Sequence, residues 1–216
     1  MARASQLLKD GNQQEALDEY IKSYRELQAI RPGSSACQRL MGAIKSLGRT
    51  NPEALSALAS LRDSAMAERE AQPDRRELLF EIALLNERLG QGSRTLALYD
   101  ALPANDPNRR SLAMIANPSF IEARRYADAL IGKPFGQVLT MIEAGAQHIA
   151  RQDISRQALM RKGIVDVALT QIEVLTGAGK LEDARVLTEK LFVFDQSYAT
   201  RAGLEQHLAR AQALKR

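Results

Sequence analysis

Three pairs of adjacent arginines are the most prominent polar feature of the sequence. The pairs are Arg75-Arg76, Arg109-Arg110 and Arg124-Arg125. Because neighbouring side chains on a helix diverge by about 100°, at most one arginine of each pair can join a common face. If their helices stack in register, Arg76, Arg110 and Arg125 would form a ladder for an acidic peptide or a phosphate backbone. We favour the alternative, in which the arginines form ion pairs with carboxylates nearby in the sequence. Those carboxylates are Asp74, Glu77, Asp106, Glu122 and Asp128.

The sequence offers little for acid–base or metal chemistry. His148 and His207 are the only histidines, and neither has a second histidine or a cysteine at the spacing of metal ligands. We therefore expect both at the surface or in a helix interface. The acidic pairs Asp18-Glu19 and Glu182-Asp183 stand near predicted helix N-termini, where they complement the helix dipole. The sequence predicts a protein that is not an enzyme and that has no metal and no cofactor.

Serines and glycines in the predicted loops are explained by local structure. Ser34-Ser35, Ser93 and Ser197 precede predicted helices and are typical N-caps. Gly90-Gln91-Gly92-Ser93 and Gly177-Ala178-Gly179-Lys180 resemble phosphate loops, but no strand precedes them and the Walker spacing is not met. We expect both to be turns between helices.

The bulk composition favours helices. Aromatic residues make up 5% of the 216 residues, tryptophan is absent and the net charge is +4 with a pI near 9.3. The net charge is +1 over residues 1–73, zero over 74–150 and +3 over 151–216, so no basic stripe is predicted. Cys37 is alone and is expected to be a small buried hydrophobe. No apolar run approaches a membrane span, and no signal-peptide core begins the chain. We expect a cytoplasmic protein, unless an upstream export signal has been removed.

Glycine, proline and serine divide the chain into segments with apolar residues three or four apart, which is the pattern of helices with one buried face. The apolar face of 154–176 is unusually wide, so that helix is expected to be buried on more than one side. The loop at 102–108 is a candidate hinge within one domain that covers 1–216. About twelve helices are predicted: 2–10, 13–30, 35–48, 52–71, 74–90, 93–102, 108–117, 119–131, 134–150, 154–176, 180–194 and 198–214.

Five turn-like stretches lead into an alanine near a helix start. These alanines are Ala16, Ala54, Ala97, Ala129 and Ala184, at intervals of 38, 43, 32 and 55 residues. Around the first, Ala4, Gly11 and Tyr20 take the places of the helix-A small residue, the turn glycine and the helix-B aromatic of tetratricopeptide repeats (TPRs). The chain therefore resembles a TPR protein.

Other hairpins match the TPR pattern less well. In the third, aligned on Gly90, Ala83 and Tyr99 match, but Thr95 replaces the small helix-B residue. Elsewhere Arg124 replaces the turn glycine and Ile172 replaces the small helix-A residue. The resemblance implies an all-α, right-handed superhelical stack of antiparallel helix hairpins with irregular members.

The resemblance also implies a groove that binds an extended peptide or a partner helix. A carboxylate clamp known in one TPR subtype would need Lys and Asn at Met1 and Ser5, so that ligand is not expected. The candidate groove residues are Gln6, Lys9, Glu81, Asn86 and Arg88.

The function that we expect is a non-enzymatic scaffold that binds a protein or peptide partner, with no membrane association. The alternative is nucleic-acid binding through the arginine pairs and Lys162, Lys190 or Lys215, which the charge distribution disfavours. A homodimer through the apolar faces of 154–176 and 191–194 is left open. The helix 198–214, with Leu204, Leu208 and Leu214 inside, would cap the stack.

Overall fold

The computed structural model describes residues 2–213, apart from the side chain of Ala146. Met1, Leu214 and Lys215, which the sequence interpretation names, lie outside the described residues. Residues 2–213 contain helices and no strand, as predicted. Thirteen helices are present in this range: α1 (Ala2–Lys9), α2 (Gln13–Ile30), α3 (Ser35–Leu47), α4 (Pro52–Ala71), α5 (Arg76–Arg88), α6 (Gly92–Asp100), α7 (Arg109–Ile115), α8 (Asn117–Glu122), α9 (Tyr126–Gly132), α10 (Phe135–Ile149), α11 (Ile154–Gly177), α12 (Leu181–Phe194) and α13 (Tyr198–Gln212).

The chain forms two compact units, the first ending at Ser119 and the second beginning at Phe120. In the first unit each helix from α1 to α6 packs against its successor, and α5 also contacts α3 and α7. Leu17, Tyr20 and Tyr24 form the buried stripe of α2, at the spacing of one helical face. The predicted hinge at 102–108 is the loop between α6 and α7, within this unit.

The second unit is built around α11, which packs against α9, α10, α12 and α13. All six residues from Gln171 to Thr176 are buried, so this end of α11 is enclosed on every side. The wide apolar face predicted for this helix is thus used within the unit. Leu204 and Leu208 of α13 pack against the same core, on the inner face predicted for them.

The predicted starts of α3, α4 and α13 are confirmed by their first residues and caps. Ser34 and Ser197 accept hydrogen bonds from the backbone N–H groups of Cys37 and Thr200, at 3.3 and 3.2 Å. Pro52 is the first residue of α4, where its missing N–H has no intrahelical partner to lose. The prediction for Ser93 is wrong, because α6 already begins at Gly92.

The predicted helix 119–131 is wrong in one respect, because it is broken between α8 and α9. Arg124 has a φ of 57°, which interrupts the right-handed helix. Its N–H donates to the carbonyl of Ile121 at 3.0 Å, and the next N–H donates to the carbonyl of Phe120 at 2.7 Å. These two bonds form a Schellman turn, which satisfies carbonyls at the end of α8.

The turn at Arg124 occurs three more times, each time at a glycine. Gly11, Gly90 and Gly179 have φ values of 83°, 71° and 76° and make the same pair of backbone hydrogen bonds. Five residues after each of the four turn residues a small side chain is buried. These side chains are Ala16, Thr95, Ala129 and Ala184. One hairpin connection is therefore used twice in each unit.

Gly48 follows α3 and keeps the right-handed conformation, with a φ of −58°. A Cβ at this position would lie 2.7 Å from Cδ2 of Leu55. The glycine therefore allows α4 to approach the end of α3 closely.

Candidate binding groove

A groove of about 590 Å³ lies between α4, α5 and α6 in the first unit. Met66, Pro73, Arg94 and Ala97 are exposed, so the groove is open to solvent. It is lined by apolar and polar side chains from all three helices and the α4–α5 turn: Met66, Arg69, Glu70, Pro73, Ile82, Asn86, Arg94, Ala97 and Leu98.

The floor of the groove follows from the periodicity of α5. Ile82 and Asn86 are four residues apart and therefore share one face of that helix. Ile82 belongs to a small buried cluster with Ala65 and Leu78, against which Leu98 of α6 packs. The groove thus has an apolar base that is part of the folded core.

Hydrogen bonds hold the walls in place. Thr95 Oγ1 donates to the carbonyl of Ala83 at 3.4 Å and links α6 to α5. The buried Arg62 of α4 donates to Oε1 of Gln91 in the α5–α6 turn. α4 and α6 are therefore both fixed to α5.

Asn86 is the unusual residue of the groove. Its side chain is 2% exposed, and its Oδ1 accepts no hydrogen bond from any described residue. A buried carbonyl oxygen without a donor costs about 1–3 kcal/mol. The lining of the groove therefore includes a residue whose buried side-chain oxygen is unsatisfied.

The charged groups of the groove are Arg69 and Glu70 on α4 and Arg94 on α6. None of the three forms an ion pair with another side chain in the range 2–213. Two positive charges and one negative charge border the apolar floor, so the groove carries a net positive charge.

A second cavity of about 440 Å³ in the same unit lies between α2, α4 and α5. At its side Glu81 is 6% exposed and accepts hydrogen bonds from Tyr24 Oη and Gln28 Nε2, both at 2.6 Å. Burial raises the pKa of Glu81, although both hydrogen bonds oppose that rise. Burial and the nearby Glu81 raise the pKa of the Tyr24 hydroxyl.

Arg75 lines the same cavity, but Glu68 and Glu77 already bind its guanidinium.

The structure separates the predicted groove residues. Asn86 lies in the α4–α6 groove, whereas Glu81 lies in the second cavity. Arg88 is half-buried at the end of α5. Gln6 and Lys9 are exposed on α1, where Gln6 Nε2 donates to Oδ1 of Asp10 at 3.0 Å. The sequence analysis did not identify Met66, Arg69 and Arg94, which line this groove in the structure.

The three arginines of the predicted ladder have different surroundings. Arg76 and Arg110 are exposed and form no ion pair with the described residues. Arg125 pairs with Asp128 at 2.8 Å and lies 5.0 Å from the Phe120 ring centroid.

Two further arginines of these pairs, Arg75 and Arg109, have local partners. Arg75 pairs with Glu77 at 2.7 Å, and Arg109 Nη1 donates to the carbonyl of Leu102 at 2.7 Å. Of the neighbouring carboxylates, Glu77 and Asp128 do pair with arginines. The ladder itself stays a prediction.

The second unit contains a buried polar cluster around Glu173, which is 2% exposed on α11. Tyr126 Oη of α9 donates to its Oε1 at 3.1 Å, and His207 Nδ1 of α13 lies 2.6 Å from its Oε2. Arg210 Nη1 lies 3.7 Å from the same oxygen. Burial, together with the nearby Glu173, raises the pKa of Tyr126. The cluster joins three helices and places His207 in a helix interface, as the sequence predicts.

Other groups of the second unit are half-buried or exposed. Burial lowers the pKa of Lys133, whose carbonyl accepts a hydrogen bond from Gln171 Nε2 at 3.1 Å. His148 is exposed on α10. Val193, at the end of α12, belongs to the predicted dimer surface, and its side chain is 83% exposed.

Among residues 2–213 no group of three or more histidine, cysteine or acidic side chains is placed to hold a metal ion. No helix among the described residues is long and hydrophobic enough to cross a membrane. Comparisons of the chain with models of protein families, with curated proteins and with solved structures find no match.

Proposed function

We propose that this protein is a non-enzymatic scaffold of TPR-like helix hairpins that binds an extended segment of a partner protein in the α4–α6 groove. The main support is Asn86, which lines an open, largely apolar groove and whose buried Oδ1 has no hydrogen-bond donor among the described residues. A backbone N–H of a bound peptide would satisfy this oxygen, because every peptide residue other than proline offers one such donor.

The repeated hairpin connection supports the TPR-like part of the proposal. Gly11, Gly90, Arg124 and Gly179 share one turn geometry, and a buried small residue follows each by five positions. A small side chain there allows close helix crossing, which a right-handed superhelical stack of hairpins needs. The changing intervals between the turns make the proposed repeat irregular.

The surroundings of the two buried glutamates favour binding over catalysis. Glu81 and Glu173 are each held by donors from other helices, and these bonds are the ones that join the helices. A general acid or base needs a carboxylate oxygen that can reach a substrate proton, but both oxygens of Glu81 and of Glu173 already have partners on other helices. Both carboxylates are better explained as supports of the fold.

Selection from a randomised seven-residue peptide library tests the proposal with the purified chain. We expect selected peptides to bind with micromolar affinity, and we expect Asn86→Leu and Met66→Asp to weaken binding at least tenfold. Asn12→Leu is the matched control, because Asn12 is exposed in the α1–α2 turn, outside the groove.

Thermal unfolding of the same variants separates binding from folding. Asn86→Leu removes an unsatisfied buried acceptor, so the variant should be at least as stable as the parent while it binds more weakly. The proposal fails if no peptide is selected, or if selected peptides bind equally well to all these variants.

Nucleic-acid binding is the second candidate, because Arg76 and Arg110 are exposed without ion-pair partners among the described residues. It predicts a complex with single-stranded or duplex oligonucleotides whose affinity falls steeply with salt. The absence of a gel shift at low salt would exclude this candidate.

A further inference from the structure

We infer that the α4–α6 groove is specific for peptide segments that carry both acidic and apolar side chains. An apolar side chain of the peptide would lie on the floor, a carboxylate would bind between Arg69 and Arg94, and a backbone N–H would donate to Asn86. This inference rests on the proposed function and deepens it by naming the chemistry of the ligand.

The charges of the groove select the sign of the ligand. Arg69 stands on the α4 wall and Arg94 on the α6 wall, and both helices pack against α5. Neither guanidinium has an ion-pair partner among the described side chains, and Glu70 is the one carboxylate in the lining. A ligand carboxylate can therefore form charge-assisted hydrogen bonds without displacing an existing ion pair.

The floor selects an apolar side chain. Ile82 and Leu98 belong to the core beneath the groove, and Met66 at the rim is 40% exposed. Covering this surface removes apolar area from water, which contributes about 25 cal/mol for each Å² buried. The flexible thioether of methionine also adapts to side chains of different shape.

Asn86 discriminates between a peptide and other ligands with a negative charge. A fatty acid could pair with an arginine and cover the apolar floor, but it has no N–H group for the Oδ1 of Asn86. A single-stranded nucleic acid could bind the arginines, but no described residue of the lining has an aromatic side chain on which a base could stack. A peptide supplies carboxylate, apolar side chain and N–H together.

Three nine-residue peptides of equal length test the inference by fluorescence anisotropy. One alternates leucine with aspartate, one leucine with asparagine and one leucine with lysine. We expect the acidic peptide to bind at least tenfold more tightly than the neutral one at low salt, and we expect this advantage to shrink as salt screens the charges.

The double variant Arg69→Glu with Arg94→Glu should reverse this preference and bind the lysine peptide most tightly. Arg76→Glu with Arg110→Glu is the matched control, because it changes the net charge equally at two exposed arginines outside the groove. The control should retain the preference for the acidic peptide.

Each other outcome overturns the inference in a recognisable way. Equal binding of the three peptides, with weaker binding of all three to Asn86→Leu, would refute the charge specificity while the proposed function stands. No binding by any peptide would count against both. Palmitate and oligouridylate are the competing ligands. If either one displaces the acidic peptide and binds the parent chain and Asn86→Leu equally well, that compound and not a peptide would be the ligand.

Discussion

Both units bury a glutamate that accepts a hydrogen bond from the tyrosine of another helix, but they complete its surroundings differently. In the first unit the partners of Glu81 are the neutral groups of Tyr24 and Gln28, and an open cavity adjoins them. In the second unit Glu173 also meets His207 and Arg210.

This difference separates a site that can respond to its surroundings from one that holds the fold together. Neutral donors stabilise a carboxylate but leave its charge uncompensated, so burial still raises the pKa of Glu81. Glu173 instead bridges α9 and α13 to α11, and the charged side chain of Arg210 lies nearby. We therefore expect changes at Glu173 to affect stability most and changes at Glu81 to affect pH dependence most.

The largest expected effect is the loss of the bridge in the second unit. Glu173→Ala removes the acceptor of Tyr126 and His207 together, and it should destabilise this unit by about 3 kcal/mol. Hydrogen exchange of the α11 and α13 amides measures the change. Glu205→Ala, on the exposed face of α13, is the control and should leave exchange unchanged. Equal exchange in the two variants would remove the contrast between the units.

A second change acts on the same bridge through the backbone of α11. A Cβ on Gly177 would lie 2.1 Å from Cδ2 of Tyr126, so Gly177→Ala must displace the ring that donates to Glu173. We expect a loss of about 2 kcal/mol in urea denaturation. Gly163→Ala in the same helix meets no atom within 4 Å and should stabilise by about 1 kcal/mol. The interpretation fails if both variants change stability in the same direction.

The pH dependence of stability tests the first unit. The folded-state pKa of Glu81 is raised, so from about pH 4 upward the unfolded state loses this proton first and stability falls with rising pH. Glu81→Gln should remove this decrease in the free energy of unfolding. The decrease amounts to about 1.4 kcal/mol for each unit by which the pKa of Glu81 differs between the folded and unfolded states. Urea denaturation between pH 4 and 7 measures it.

Glu77→Gln is the contrasting variant, because hydrogen bonding to Arg75 lowers the pKa of Glu77. The ionised Glu77 therefore stabilises the fold at neutral pH, and this stabilisation is lost as the pH falls through the folded-state pKa of Glu77. The two variants should therefore change the pH profile in opposite directions. Parallel profiles would show that Glu81 is not the uncompensated charge of this unit.

The smallest expected effect compares the hairpin turns. Arg124 is the one non-glycine residue with positive φ among those described, and this conformation costs a side-chain-bearing residue about 1 kcal/mol. Arg124→Gly removes this cost, but glycine gains more entropy on unfolding, so the net stabilisation in thermal unfolding should be about 0.5 kcal/mol. Gly90→Ala, the reverse change in the first unit, should destabilise. A less stable Arg124→Gly variant would show that the arginine side chain matters more than its backbone conformation.

Local signals were sufficient to predict most of the helices from the sequence. Proline at Pro52, serine at Ser34 and glycine at Gly11 mark boundaries because each has a backbone or capping preference that acts within a few residues. The break at Arg124 was missed as an element boundary, because alanine and arginine are good helix formers and no glycine marks the turn.

The candidate site was less accessible to sequence reasoning. Asn86 could be placed on a groove face by its register on a helix, but the same reasoning grouped it with Glu81, which lies in another cavity. Arg69 and Arg94 line one groove because α4 and α6 both pack against α5. Glu173 and His207 are 34 residues apart with no periodic relation between them. Such contacts depend on tertiary packing, for which a single sequence has no short-range signal.

The turns at Gly11, Gly90, Arg124 and Gly179 have a further consequence for redesign of the chain. They share their backbone hydrogen bonds but stand at unequal intervals along the sequence. The connection therefore occurs between helices of different length. A segment grafted from one turn to another would keep the exit direction of the chain, so hairpins could be lengthened, shuffled or duplicated at these four joints.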